Sequence, residues 1–192
     1  GTPTFLNEEQ IERLFQYIDQ RFEIDYDGEI AIEIDPRTID ESKLRLLRTL
    51  GFNRISMGVQ DFTPEVQKAI NRVQSFESVH KYTHLARELG FNSINFDLIY
   101  GLPHQTQETF AKTVQQTILL DPDRIALYSF AHVPWLKKHQ NKMNPDDLPK
   151  GEKKLDIFLR AREIFLNSGY QHIAMDHFAL KGDELAKAFN AN

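Results

Sequence analysis

Apolar residues recur along the chain with two alternating periods: every second position in short runs, and every third or fourth in longer ones. GEIAIEIDPR (28–37) sets Ile30, Ile32 and Ile34 against Ala31, Glu33 and Asp35, a strand pattern that sends the acids to one face. RISMGVQDF (54–62) does the same with Ile55, Met57 and Val59 against Ser56, Gly58 and Gln60. NFDLIYGLPHQTQETF (95–110) is an apolar run carrying one acid, Asp97, that breaks at Gly-Leu-Pro and resumes as a helix. A carboxylate inside such a run costs several kcal/mol unless a polar partner meets it, and the carboxyl end of a parallel strand is where ligands offer one. A fourth strand is expected over RIALYSFAHVP (124–134), ending at Pro134, which has no amide proton for a ladder.

Helical patterns fill the intervals. Asn7 precedes a stripe of Ile11, Leu14, Phe15 and Ile18, with Glu8 and Glu9 complementing the helix dipole. Asp40 opens a helix with Leu44, Leu47 and Leu50 inward and Gly51 as its stop, and Thr63-Pro64 starts a short one. SFESVHKYTHLAREL ends at Gly90, and Thr106 caps QETFAKTVQQTILL, which Asp121-Pro122 ends. Strands alternating with helices and short returns predict an α/β fold of βαβ units with a parallel sheet. Only four strands are expected, fewer than the eight or so that close a barrel, so an open or partial barrel fits. The chain begins at Gly-Thr-Pro-Thr and stops at AFNAN, and it reads as cut at both ends. Residues 137–154, with two prolines and many charges, read as an exposed connector before the helix LDIFLRAREIFLNSG.

Composition narrows the class. The 192 residues are 41% hydrophobic, as expected of a chain that builds one sizeable core. A net charge of −5 with mixed signs argues against a phosphate-tracking surface, and Lys137-Lys138 and Lys153-Lys154 read as solvated charge. No apolar run reaches membrane-spanning length, so no membrane span, no nucleic-acid partner and a cytoplasmic location are expected. His132, His139, His172 and His177 form no persuasive ligand set, and Trp135 reads as a buried structural residue. On residue types alone, Glu33 and Asp97 also admit a barrel hydrolase with an acid and base pair.

Taken jointly, GTPTFL, EIDPR, RISMGVQDF, NFDLIYGLPHQT, FAHVPWLKKHQ and MDHFALKGDELAKAFN resemble the radical S-adenosylmethionine superfamily in its oxygen-independent coproporphyrinogen III oxidase (dehydrogenase) branch. The resemblance implies a partial (β/α)6 TIM-like barrel of parallel strands. Residues 1–136 would supply the end of its second strand through its sixth, 137–154 the connector, and 155–192 the helical start of a C-terminal extension. It implies an enzyme that cleaves S-adenosylmethionine reductively to a 5′-deoxyadenosyl radical. That radical removes hydrogen from two propionates of coproporphyrinogen III, and loss of carbon dioxide and an electron turns each into vinyl, giving protoporphyrinogen IX.

The cofactors implied are two S-adenosylmethionine molecules and a 4Fe-4S cluster on three upstream cysteines, with an unidentified electron donor. This chain has no cysteine, and thiolates hold such clusters, so alone it is expected to be inactive. By resemblance, Gly1 and Thr2 end a glycine-rich loop against the methionine moiety. Glu33 contacts S-adenosylmethionine, while Gln60, Arg72, Asp97 and Ala131 hold a second molecule. No catalytic residue and no metal ligand is assigned; His177, next to Asp176 in a block typical of the family, admits a role near the substrate, a surface or core-satisfied histidine being the favoured reading. A haem chaperone of the same superfamily shares the DLIYGLP and GVQ motifs and stands as the nearest alternative.

Overall fold

The computed structural model describes residues 2–191, so Gly1 lies outside the described residues. Six strands form one sheet in the order β1 (Ala31–Ile34), β2 (Arg54–Gln60), β3 (Ser93–Tyr100), β4 (Arg124–Ser129), β6 (His177–Leu180), β5 (Tyr170–Ala174). The first four are parallel, and the β5–β6 hairpin pairs antiparallel with β4. The sheet is an open arc, with β1 and β5 as its edges.

The helices begin where short polar side chains satisfy free amides. Asn7 and Gln10 form a capping box on α1 (Glu8–Asp19), and Asp40 accepts from the amide of Lys43 at the start of α2 (Glu41–Thr49). α3 (Pro64–Ala69) has proline in its first turn, Ser75 caps α4 (Phe76–Glu88), and Thr106 caps α5 (Gln107–Leu119). Gly51 and Gly90, at φ +98° and +82°, take the left-handed conformation that ends α2 and α4. One continuous core includes Ile34, Leu44, Leu47, Ile55, Met57, Ile94, Phe96, Leu98, Phe110 and Leu127, all fully buried between sheet and helices.

The segment 155–192, expected as helix, holds more than helices. α6 (Glu152–Asn167) starts inside the expected connector and α7 (Glu184–Asn190) ends the described chain, with the β5–β6 hairpin between them. YQHIA and HFAL are too short to show a period, and Met175 at φ +46° makes the turn. Phe178 is fully buried, its ring 5.2 Å from Phe165 of α6 and 4.8 Å from His172, which binds the hairpin to the core.

Two strands are shorter than their patterns. β1 stops at Ile34 because Asp35 turns its carboxylate to Arg37 and Pro36 has no amide to give. β4 stops at Ser129; the Phe130 amide reaches the Tyr100 carbonyl, and the loop beyond is held by buried Gln140, which donates to Ala131 O at 3.1 Å and accepts from Val133 N at 2.6 Å. Trp135, expected to be buried, is 75% exposed on that loop. At the amino ends of the strands, Glu29 pairs with Arg54 and Arg124, and Arg124 also pairs with Asp183 before α7. No helix among the described residues is long and apolar enough to cross a membrane.

Candidate functional site at the carboxyl ends of the strands

The pleat sends alternate residues of each strand to the concave face of the sheet, and these residues are polar. One row runs Glu33, Ser56, Asn95, Arg124 across β1 to β4; the next runs Gly58, Asp97, Ala126, His177 across β2, β3, β4 and β6. With Tyr128, the polar members of both rows (Glu33, Ser56, Asn95, Arg124, Asp97 and His177) line a cavity of about 560 Å³, a size that accepts a small molecule.

Asp97 is fixed by its neighbours on that face. Its Oδ2 accepts from Ser56 Oγ at 3.1 Å and its Oδ1 from Asn95 Nδ2 at 2.8 Å. Burial pushes its carboxyl above the usual range, the two hydrogen bonds oppose that, the Glu33 charge adds to it and His177 offsets part. Glu33 shares the cavity and accepts from Thr2 Oγ1 at 3.3 Å. Thr2, Glu33 and Asp97 therefore converge.

Gln60 and Arg72 gather on the rim instead. β2 ends in a left-handed Gln60, φ +67°, which swings the chain so that its side chain meets Gly58. Arg72 donates to the Gly58 carbonyl at 2.8 Å and to Asp35 Oδ2 at 3.0 Å. Burial lowers the Arg72 pKa from its ordinary value, while Asp35 works against that. Gln60 Oε1, Arg72 Nε and Gln74 Oε1 are buried there with no hydrogen-bond partner among the described residues. Unmet polar atoms at such a place mark where a polar ligand fits. Ala131 sits apart from the cavity, exposed on the loop after β4, its carbonyl already taken by Gln140. The role given to Gly1 falls outside the described residues.

Two supporting groups were missed in the sequence: Asp61 went unread, and Lys154, read as solvated charge, is half-buried and hydrogen-bonded. Asp61, fully buried, accepts from Gln105 Nε2 at 2.6 Å, Thr113 Oγ1 at 3.0 Å and the Thr63 amide at 2.5 Å, while Gln105 Oε1 accepts from the amides of Gly101 and Leu102. This network joins the loops after β2 and β3. Burial raises the Asp61 pKa, and the donated hydrogen bonds counter it. Lys154 of α6 is the other: it lies against Gly101 and donates to the Phe130 carbonyl at 2.7 Å, holding the loops after β3 and β4. Asn95, two residues before Asp97, was legible by the strand period; Asp61 and Gln105 are far apart in sequence and carried no such signal.

No group of three or more His, Cys, Asp or Glu among the described residues is arranged to hold a metal ion. The donor set at the mouth, with carboxylates, an amide and a guanidinium, suits a ligand bearing hydroxyls, an ammonium and a carboxylate, as S-adenosylmethionine does.

Comparison with known proteins points the same way. The model of the Radical SAM superfamily matches residues 1–117. The oxygen-independent coproporphyrinogen III oxidase of Escherichia coli strain K12 is 49% identical over 188 residues, which is 98% of this chain and 41% of that protein. Its namesake from Pseudomonas aeruginosa is 48% identical over 190 residues, again 98% and 41%. The solved structure of coproporphyrinogen III oxidase (HemN) from Escherichia coli, described as a radical SAM enzyme, superposes with a TM-score of 0.95 at 49% identity, covering 98% of this chain and 43% of that one. The chain thus spans about 41% of the length of the curated relatives it matches.

Proposed function

The chain belongs to the Radical SAM superfamily, and from that premise we propose that it forms the S-adenosylmethionine-holding part of an oxygen-independent coproporphyrinogen III oxidase. The reaction it serves is the oxidative decarboxylation of two propionates of coproporphyrinogen III to vinyl groups, giving protoporphyrinogen IX. The observation that carries this reading is the set of partnerless buried atoms, Gln60 Oε1 and Arg72 Nε, beside the carboxylates Glu33 and Asp97 at the strands' carboxyl ends.

Each residue has a defined task. Glu33 would accept from ribose hydroxyls of one S-adenosylmethionine, and Thr2, with Gly1 before it in the sequence, would serve its methionine end. Arg72 captures the carboxylate of a second molecule, Gln60 pairs through its amide, Asp97 accepts from hydroxyl or ammonium, and Ala131 offers backbone and a small volume. Bound S-adenosylmethionine supplies the one-electron chemistry that removes hydrogen from the substrate, while the protein orients it and excludes water. A 4Fe-4S cluster does not fit the residues of this chain, which include no cysteine, so no step is assigned through it. The electron donor remains an unassigned partner in this proposal. Membership of the superfamily displaces the hydrolase reading of Glu33 and Asp97.

The decisive experiment replaces the matching 188 residues of the E. coli relative with this chain and follows coproporphyrinogen III anaerobically. Conversion to protoporphyrinogen IX is expected. A chimera that binds S-adenosylmethionine and haem but decarboxylates nothing would move the chain to the haem-chaperone branch.

A further inference from the structure

The second row of the concave face sets Asp97 and His177 on opposite sides of the cavity. Reading across the register, Gly58 pairs with Asp97, Asp97 with Ala126, and Ala126 with His177. The two polar residues are separated by one strand, so their Cα atoms stand roughly 10 Å apart at ordinary strand spacing. Ala126, between them in the register, is buried and does not line the cavity. His177 lines the cavity from one side and Asp97 from the other.

The two walls are not equivalent. Both oxygens of Asp97 already accept hydrogen bonds, from Ser56 and Asn95. Neither ring nitrogen of His177 nor the hydroxyl of Tyr128 has a hydrogen bond among the described residues. Tyr128 meets the imidazole edge-on, ring centroids 6.2 Å apart, and so fixes its plane. Ile173 and Leu185 add apolar wall on the hairpin side. The free donors of the cavity are therefore concentrated on the β4–β6 side, next to apolar surface, away from the rim where Gln60 and Arg72 stand.

We propose that His177, seconded by Tyr128, is a substrate-binding residue that receives a carboxylate on an apolar arm, with the cavity beside Ile173 and Leu185 admitting that arm. This rests on the function proposed above, in which the substrate is a tetrapyrrole bearing propionates. A propionate suits the geometry: its methylenes lie against Ile173 and Leu185, and its oxygens accept from an imidazole N–H and a phenol O–H. Arg54 and Arg124 on the lower wall offset Glu29 and Glu33, so the cavity is not uniformly acidic.

The test titrates this chain with coproporphyrin III and, separately, with its tetramethyl ester, following porphyrin fluorescence. Wild type is expected to bind the acid. His177→Leu should bind the acid at least tenfold more weakly and the ester unchanged, while His177→Gln, which keeps an N–H, should recover part of the loss. Unfolding temperatures of the variants, measured alongside, identify any that lose binding by losing the fold. Acid binding equal in His177→Leu and wild type, equal loss of acid and ester, or no acid binding by the wild type would each overturn the assignment. S-adenosylmethionine binding by the same wild-type sample separates the two readings: retained, it leaves the proposed function standing while the His177 assignment fails; lost, it counts against the function itself.

Discussion

A methyl group added at Gly58 would lie 2.8 Å from Arg72 Nη2 and 2.9 Å from Gln60 Nε2. Both are far ends of flexible side chains, so they would yield and the backbone would stay. Gly58→Ala is therefore expected to cost only about 1 kcal/mol of stability while weakening S-adenosylmethionine about tenfold, or ~1.4 kcal/mol, as equilibrium dialysis would show. The neighbouring acid, Asp35, makes a pH prediction. Burial pushes its carboxyl up, but hydrogen bonds from Arg37 and the Arg72 charge outweigh that and leave it below the ordinary 3.8. An acid held low in the folded state contributes stability above the unfolded pKa, and the contribution is lost as pH falls through the lower folded value. Arg72→Met should raise the folded pKa and move the acid-unfolding midpoint, followed by circular dichroism, to higher pH. Asp61→Asn places an amide N–H among groups that can only donate, from Gln105 and the Thr63 amide, and should cost about 1–3 kcal/mol in denaturant unfolding.

Among the elements, the hairpin shows what local pattern leaves unsaid. Phe178→Ala should destabilise the protein by about 3–5 kcal/mol, because the ring is fully buried against Phe165 and His172. A cooperative loss of the whole protein, seen as one thermal transition, would establish the hairpin as part of the core. The parallel strands and the helix caps were legible because period and capping are local: Asn7, Asp40 and Thr106 each accept the expected amide. β5 and β6 were not, since strands of five and four residues draw their stability from β4 rather than from their own sequence. The same holds at the site. Glu33 and Asp97 stood out as acids in apolar runs, whereas His177 stood out only through its block, and its position across from Asp97 came with an antiparallel strand that laid it beside Ala126. Trp135 shows the converse: its size suggested burial, but its loop is fastened by Gln140 and leaves the indole outside.

Across the molecule, the two ends of the sheet are held by different forces. At the amino ends, Arg54 and Arg124, both mostly buried, share Glu29, and Arg124 reaches Asp183. Removing one partner of a buried pair leaves a charge without compensation, so Arg124→Met should cost about 3–5 kcal/mol and loosen α7. At the carboxyl ends, Asp61 is held by Gln105, Thr113 and the Thr63 amide, none of which carries a charge. The choice of neutral partners for that buried carboxylate has a consequence for ionic strength. Mobile ions weaken attraction between charges that water can reach, with a screening length of about 3 Å at 1 M, and have little hold on a sealed carboxylate bound to amides and a hydroxyl. Rising salt should thus slacken the half-exposed Glu29 on its arginines and screen Arg72 from charged ligands arriving through water, while the buried Asp35 keeps its arginine and the loops after β2 and β3 keep their spacing. The mouth of the sheet would then lose its grip on charged ligands before it loses its shape.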